Sequence, residues 1–566
     1  MGSIDSPASS YSPLQETQRI FDLLCSQAED LGLPANLSEI QKKVSFESEF
    51  NRVYFPIPLK ETETASALKG VEGCVAAALA ELKTGKKDRS ITVNLEKATS
   101  FLFQAYLATV GGLGKLDKDV RSKLKDTDLL QAQSNPYRRM SANLYETKDP
   151  GAYYHIHGSL EASTTLKMIG LEPFRPDLQE HDEIVGTIEP AVKRFTVQEL
   201  ETLNAQNRQA GVPALKHEEF KKTPHGQANI NRPPWQLKQL ESTTPPAPLP
   251  ASTSSTPRIL EGIKVLELCR IIAGPTVTRI LGEYGATVLK VTAPNLSDVP
   301  FFQVDGNMGK HATEIDLKSP EGKKKFEELL QDVDIIVDGY RPGAFDKLGY
   351  GAQALAKMGE KRGKGIVYVN ENCFGYEGEW AGRPGWQQIA DCVSGVAWAQ
   401  GQFMNLSEPL VPPFPISDYG TGCMGAITAL SGLYQRAVKG GSYHGLASLL
   451  QYDLLLFTAG LYPPEVQAHL RSTFTPGFAA LRHSHSVDQI SKTALAMMQG
   501  LYPELFDREK YCESWWSKGY GEVTSVVKPV VEIEGCEIGW VRGSRPNGSD
   551  APSWDFGGDE GEEKRG

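Results

Sequence analysis

No apolar run in this chain is long enough to cross a bilayer, and its N-terminus carries no apolar signal core. Cysteine is sparse: eight occur in 566 residues, and none pair as C-x-x-C. That pattern excludes a disulfide framework and a zinc site and fits reduced thiols in an intracellular protein. Lys564-Arg565-Gly566 is not a peroxisomal address of the Ser-Lys-Leu kind, so the expected location is the cytoplasm. Met1 to Ser6 fits the loose myristoylation pattern, but one acyl chain anchors only weakly. Positive charge is in deficit. Lys and Arg number 59 against 70 Asp and Glu, a net charge of -11, with no long basic cluster. A nucleic-acid-binding surface is therefore excluded. His155 and His157 alternate on one strand, but no third ligand candidate accompanies them. They read as solvent-facing strand polars, and no metal site is expected.

What is present divides at residues 242–257, a Pro/Ser/Thr stretch without charge or aromatic ring, which reads as a linker. Before it lie an amphipathic helix at 14–33, a small-residue helix at 65–82, a short strand at 90–93 and an apolar helix near 98–110. Lys148-Asp149-Pro150-Gly151 turns a hairpin between strands at 144–147 and 153–158. After the linker, strands at 262–268, 286–291, 333–337 and 365–369 alternate with helices at 276–284 and 321–330. This is the pattern of a doubly wound, Rossmann-like α/β domain, in which ligands bind at the strand C-termini. The first turn lacks G-x-G-x-x-G and the second strand ends at Val291-Thr292 with no acid for a ribose, which argues against hydride transfer. From Pro546 the chain is polar and acidic and reads as a mobile tail.

The stretch Pro412 to Gly422 has the marks of a reactive centre. A proline-rich approach ends in Ser417-Asp418, and Gly420 and Gly422 precede the apolar run Met424 to Leu433. A carboxylate at the head of a helix feels its positive end and is kept ionised. Asp418 is then either a nucleophile toward an acyl group or a helix N-cap.

Seven stretches in order carry a resemblance: Leu260–Leu268, Arg270–Pro275, Gly285–Val291, Lys310 with Glu314–Gly322, Gly339–Gly351, Arg383–Gly395 and Ser417–Gly422. Residues 258 to about 455 resemble the N-terminal part of the class III CoA-transferases, the group of formyl-CoA transferase, carnitine CoA-transferase and 2-methylacyl-CoA racemase. Gly211–Phe220, the hairpin at 144–158 and Ser90–Ala98 resemble that family's returning segment, its small α+β domain and the entry to it. The chain thus resembles two partial copies in tandem, 1–241 and 258–545, with 546–566 as the tail. The first copy lacks the α/β half, and the second has a shortened small domain. Phe55-Pro56-Ile57 echoes Phe414-Pro415-Ile416, with only Glu61 or Glu63 to replace the acid. Family members form interlocked dimers, so the resemblance implies a pseudo-dimer within one chain and leaves a homodimer open.

The resemblance implies an acyl-CoA:carboxylate CoA-transferase with Asp418 as nucleophile. The intermediates would be an aspartyl anhydride and an aspartyl-CoA thioester. Coenzyme A and acyl-CoA would be substrates, a free carboxylic acid the partner, and no cofactor tightly bound. Backbone N–H groups at Gly420 and Gly422 would form the oxyanion loop. The phosphates of CoA need cations. Arg270, Lys310, Arg341 and Lys347 are candidates by position, and Asn307 either binds ligand or caps a turn. A racemase reading is disfavoured, because Trp386 stands where that chemistry needs a histidine. Gln387 stands near where formyl-CoA transferase has a glutamate, which argues against that particular substrate. A catalytically inactive CoA-binding scaffold is the other alternative.

Overall fold

The structure, a computed structural model, describes residues 11–252, 254–474, 477–556 and 563–565. Met1 to Ser6, with its acylation pattern, lies outside them.

Seven strands form the main sheet: β1 (Trp235–Glu241), β2 (Lys264–Leu268), β3 (Thr287–Thr292), β4 (His311–Glu314), β5 (Ile335–Asp338), β6 (Val367–Asn372) and β7 (Ser442–Ser448). Their order is β4-β3-β2-β5-β6-β7-β1. All pairs are parallel except β7 with β1. β5 is buried throughout and β2 nearly so, as strands covered on both faces are, and the apolar run of β2 is broken only by the buried Glu267. The parallel strands therefore end together, and their C-terminal loops share one edge. The class is mixed α/β, as the alternating pattern predicts.

Four helices matter for the site: α1 (Glu61–Thr84), α2 (Ala273–Glu283), α3 (Ile416–Lys439) and α4 (Leu449–Ala459). Nearly every residue of α3 before its last turn is buried, because it packs on α1, α2, β6 and β7 at once. Its glycines make that possible. A Cβ on Gly420 would lie 1.9 Å from the Tyr452 ring of α4, and one on Gly422 would lie 2.5 Å from Thr276 of α2.

The two sides of the 242–257 stretch are interleaved. Strand Ile91–Asn94 pairs with Val531–Ile533, and Thr109–Val110 pairs with Glu522–Val527. β1 itself comes from the earlier side. The stretch read as a linker docks in part: the Gly441 N–H donates to Thr244 O at 3.0 Å, and the Ala247 N–H to Arg436 O at 3.1 Å. The tail is likewise not free through residue 556. Asp550 pairs with Arg545, Trp554 Nε1–H donates to Leu329 O at 3.0 Å, and Phe556 stacks on His311. Its aromatic residues have apolar surface to cover, which outweighs its charge. The helix predicted near 98–110 breaks into Leu95–Phe101 and Gln104–Leu107 before the strand at Thr109–Val110.

His155 and His157 correct another expectation. Both are buried on the hairpin strand Tyr153–His157, which is covered on its two faces. Their rings stack 5.5 Å apart.

Candidate active site

Asp418 stands in the first turn of α3, at its third residue. The helix begins two residues before it, so Asp418 is not the N-cap. The approach is strained: Phe414 holds φ +66°, unusual for a bulky side chain. Its N–H donates to Ser491 Oγ at 2.9 Å and its carbonyl accepts from Gln387 Nε2 at 3.2 Å, which fixes the bend. Ile272, the residue before α2, is a second such outlier at φ +54°.

The half-buried Asp418 carboxyl lines two cavities. The first, about 440 Å³, lies at the C-terminal ends of β2, β5 and β6, where the fold places ligands. Arg270, Arg341 and Glu371 face it. The guanidinium groups of Arg270 and Arg341 have no hydrogen-bond or ion-pair partner among the described residues, and the Arg270 Nε is buried without one. Partial desolvation, then the nearby Arg270, lowers the pKa of Arg341. Two adjacent unpaired guanidinium groups have the chemistry to take up an anion. Arg270 also lines a smaller chamber of about 190 Å³ beyond it. The second cavity, about 350 Å³, extends to the other side of Asp418, under Trp386 and His157. Residues from both sides of the 242–257 stretch line both cavities.

Behind Asp418 lies a carboxyl pair. Ser417 Oγ is 3.1 Å from Asp391 Oδ1 and 2.9 Å from Asp453 Oδ1, and Ser394 Oγ donates to Asp453 Oδ2 at 2.9 Å. One hydroxyl proton cannot serve both carboxylates at Ser417, so one of the pair carries a proton. Burial raises the pKa of Asp453 to about 7 and, with the neighbouring Asp453, that of Asp391 well above the carboxylate range. Burial also raises Glu371 to about 8, with Asp338 adding to it.

Asp418 itself is pushed well above the usual carboxylate range, first by burial and then by Glu371 and Asp453. This overturns the expectation that the helix end keeps it ionised. A helix dipole is worth about 0.3–2 kcal/mol. Desolvation together with the two neighbouring carboxyl groups outweighs it at Asp418.

The other predicted residues divide. Lys310 is wholly buried and faces neither cavity. Its Nζ donates to Glu267 Oε2 and to Pro275 O, each at 2.7 Å, and burial lowers its pKa to about 8. Asn307 is also internal, accepting from Lys290 and donating to Arg545 O. Lys347 is exposed and lies outside both cavity walls. Gly420 and Gly422 are inside α3, where their N–H groups point along the helix. They serve close packing and not an oxyanion loop. Glu61 and Glu63 accept hydrogen bonds from Tyr452, and from Tyr11 and Tyr462, and line neither cavity.

Sequence reasoning missed Glu371. The signal was its place, two residues past the predicted end of a parallel strand. It also missed the wall from the first half, including Ser159 and Leu160, which line both cavities.

Comparison with known proteins agrees with this geometry. The description "CoA-transferase family III" matches residues 260–464. The chain is 33% identical to "Acetyl-coenzyme A transferase nodX" of Hypoxylon pulicicidum over 92% of this chain and 90% of that one. It is 32% identical to an "Acyl-CoA transferase" of Gibberella moniliformis over 85% of each. A "Formyl-CoA:oxalate CoA-transferase" of Rhodopseudomonas palustris is 27% identical over 38% of this chain and 51% of its own length. Shared identity across almost the whole length, with the family pattern on the sheet that carries the site, establishes that the chain belongs to CoA-transferase family III.

Proposed function

We propose that this protein moves coenzyme A from an acyl-CoA to a free carboxylic acid, with Asp418 as the acyl acceptor. One observation carries the reading: a single carboxyl stands where two cavities meet, one of them holding an unpaired pair of guanidinium groups. The first cavity takes the CoA arm, with Arg270 and Arg341 on its phosphates. The second takes the organic part of the acid.

The Asp418 carboxylate attacks the thioester carbonyl, and the C–S bond breaks to give a mixed anhydride and CoA thiolate. The thiolate attacks the aspartyl carbonyl, releasing the first acid and leaving an aspartyl-CoA thioester. The incoming carboxylate attacks that thioester, giving a new anhydride and thiolate. The thiolate then attacks the new acyl carbonyl, which frees Asp418. The thioester bond is conserved, so no ATP is consumed. A carboxylate stripped of water is a strong nucleophile once ionised, and the enclosed site protects the anhydride from hydrolysis.

The interleaved halves support the tandem reading. α1 and α3 are both 24 residues long, pack on each other and follow related Phe-Pro-Ile approaches, with Phe55 and Phe414 in ring contact. The protein would be an intramolecular pseudo-dimer with one working site. Incubation with acyl-CoA and a labelled free acid tests the transfer: label enters thioester if the reading is right. CoA binding without exchange across a broad acid panel would contradict it.

A further inference from the structure

We propose that the acid handled here is a bulky, apolar monocarboxylic acid, and that the second cavity is its specificity pocket. This rests on the transferase reading and names its substrate class.

The cavity's size sets a floor. At about 30 Å³ per water-sized group, 350 Å³ has room for about a dozen. That is well beyond a one- or two-carbon acid. Its wall sets the polarity. Val120, Leu124, Leu160, Phe301, Phe302 and Trp386 line it, so rings and branched chains from both halves of the protein converge there. Apolar surface of this kind rewards a carbon skeleton and gives nothing to a hydrated one.

Charge decides against a dicarboxylic acid. A second carboxylate needs an excess of positive charge in the wall. Lys115, Arg121 and Arg139 face the cavity, but so do Asp126, Asp128 and Asp488. Lys115 Nζ is 2.6 Å from Asp488 Oδ1, and Arg139 Nε is 3.4 Å from its Oδ2. Arg121 has no such partner among the described residues, but with Asp418 itself four carboxyl groups face three cations, so the wall has no excess of positive charge. His157, on the same wall, is held neutral by burial and adds no charge.

Two measurements on the full-length protein test this. The first is kcat/KM for exchange from one acyl-CoA donor into straight-chain acids of two to ten carbons, phenylpropanoate, oxalate and succinate. The second is the Kd of the matching acyl-CoAs on the Asp418→Asn variant, which reads the pocket without turnover. The expected result is a rise of about threefold to fourfold per buried methylene in both series, with oxalate and succinate far below an apolar acid of equal length. Leu124→Trp, which fills part of the cavity, should flatten both gradients. A flat or falling gradient in both series, or succinate as the best acceptor, would overturn the proposal. A graded Kd without exchange into any acid would uphold the pocket and sink the transferase reading instead.

Discussion

The indole of Trp386 lies parallel to the imidazole of His157, with ring centroids 5.5 Å apart and planes 4° from parallel. The two residues come from opposite sides of the 242–257 stretch, and the contact closes the roof of the second cavity. It also puts a histidine near Asp418, although none stands there in the sequence. His157 Nδ1 accepts the Ser159 N–H at 3.0 Å, and Trp386 Nε1–H donates to Ser159 Oγ at 2.9 Å. Burial, then the nearby His155 and Arg139, holds the His157 pKa well below its ordinary value.

Such an imidazole is a poor proton acceptor at neutral pH. In deuterium oxide, therefore, no deuterium should enter the α-carbon of a 2-methylacyl-CoA during transfer. Mass spectrometry of the recovered thioester checks this. Exchange that is lost in His157→Ala would revive the racemase alternative.

The charge state of Asp418 sets the pH dependence. The carboxyl must be ionised to attack, and burial with Glu371 and Asp453 raises its pKa, so the rising limb of kcat/KM should lie well above the ordinary carboxylate range. Glu371→Gln removes one neighbouring charge and should move the rising limb to lower pH. An unmoved limb would show that Glu371 does not act on Asp418.

Stability should run the other way. Glu61 and Glu371 have pKa values raised to about 8, and Glu63, Glu283 and Asp453 to about 7, all chiefly by burial. Above the unfolded carboxyl pKa, near 4, the native state holds protons that the unfolded state releases. Their contribution is complete below about pH 4 and is lost as pH rises through 7 to 8. Thermal unfolding should show Tm falling from pH 6 to 8.5, with a shallower fall in Glu371→Gln.

Arg270 and Lys310 should separate on substitution. Arg270→Ala removes an unpaired cation from the first cavity. KM for acyl-CoA should rise roughly tenfold to a hundredfold, the worth of a charge-assisted hydrogen bond, with little change in Tm. Lys310→Ala strips Glu267 of its nearest cation inside the core and should cost about 3 kcal/mol of stability. Kinetics and calorimetry on the same two proteins decide the matter.

Gly420→Ala tests the packing of α3. The added methyl meets the Tyr452 ring at 1.9 Å, and α4 cannot shift freely because Tyr452 OH donates to the buried Glu61 at 3.0 Å. Destabilisation by roughly 2–3 kcal/mol is expected. A Tm equal to that of the parent would show that the helices are more loosely packed than described.

The parallel strands β2, β3, β5 and β6 and the acid at the head of α3 were legible because they depend on local pattern: apolar runs between turns, and prolines before an acidic residue. β1, β4 and β7 were not. β1 is a half-exposed edge strand rich in polar residues, and β7 carries Gly445 and His444 within it, so neither shows a strand's alternation. The roles of Lys310 and Asn307 were misread for a related reason. Sequence position gave their distance from the strand ends but not the direction of their side chains, and both turn into the core beneath the sheet. His157 and the carboxyl pair Asp391 and Asp453 reach the site only through contacts between residues far apart in the chain.

The central claim is that Asp418 carries the acyl group and then CoA. It is tested most directly by incubating the protein with acyl-CoA and hydroxylamine, then mapping modified residues by peptide mass spectrometry. The account predicts a hydroxamate at Asp418 that forms only when acyl-CoA is present, with exchange lost and CoA binding kept in Asp418→Ala. Full exchange with Asp418 unmodified would contradict it.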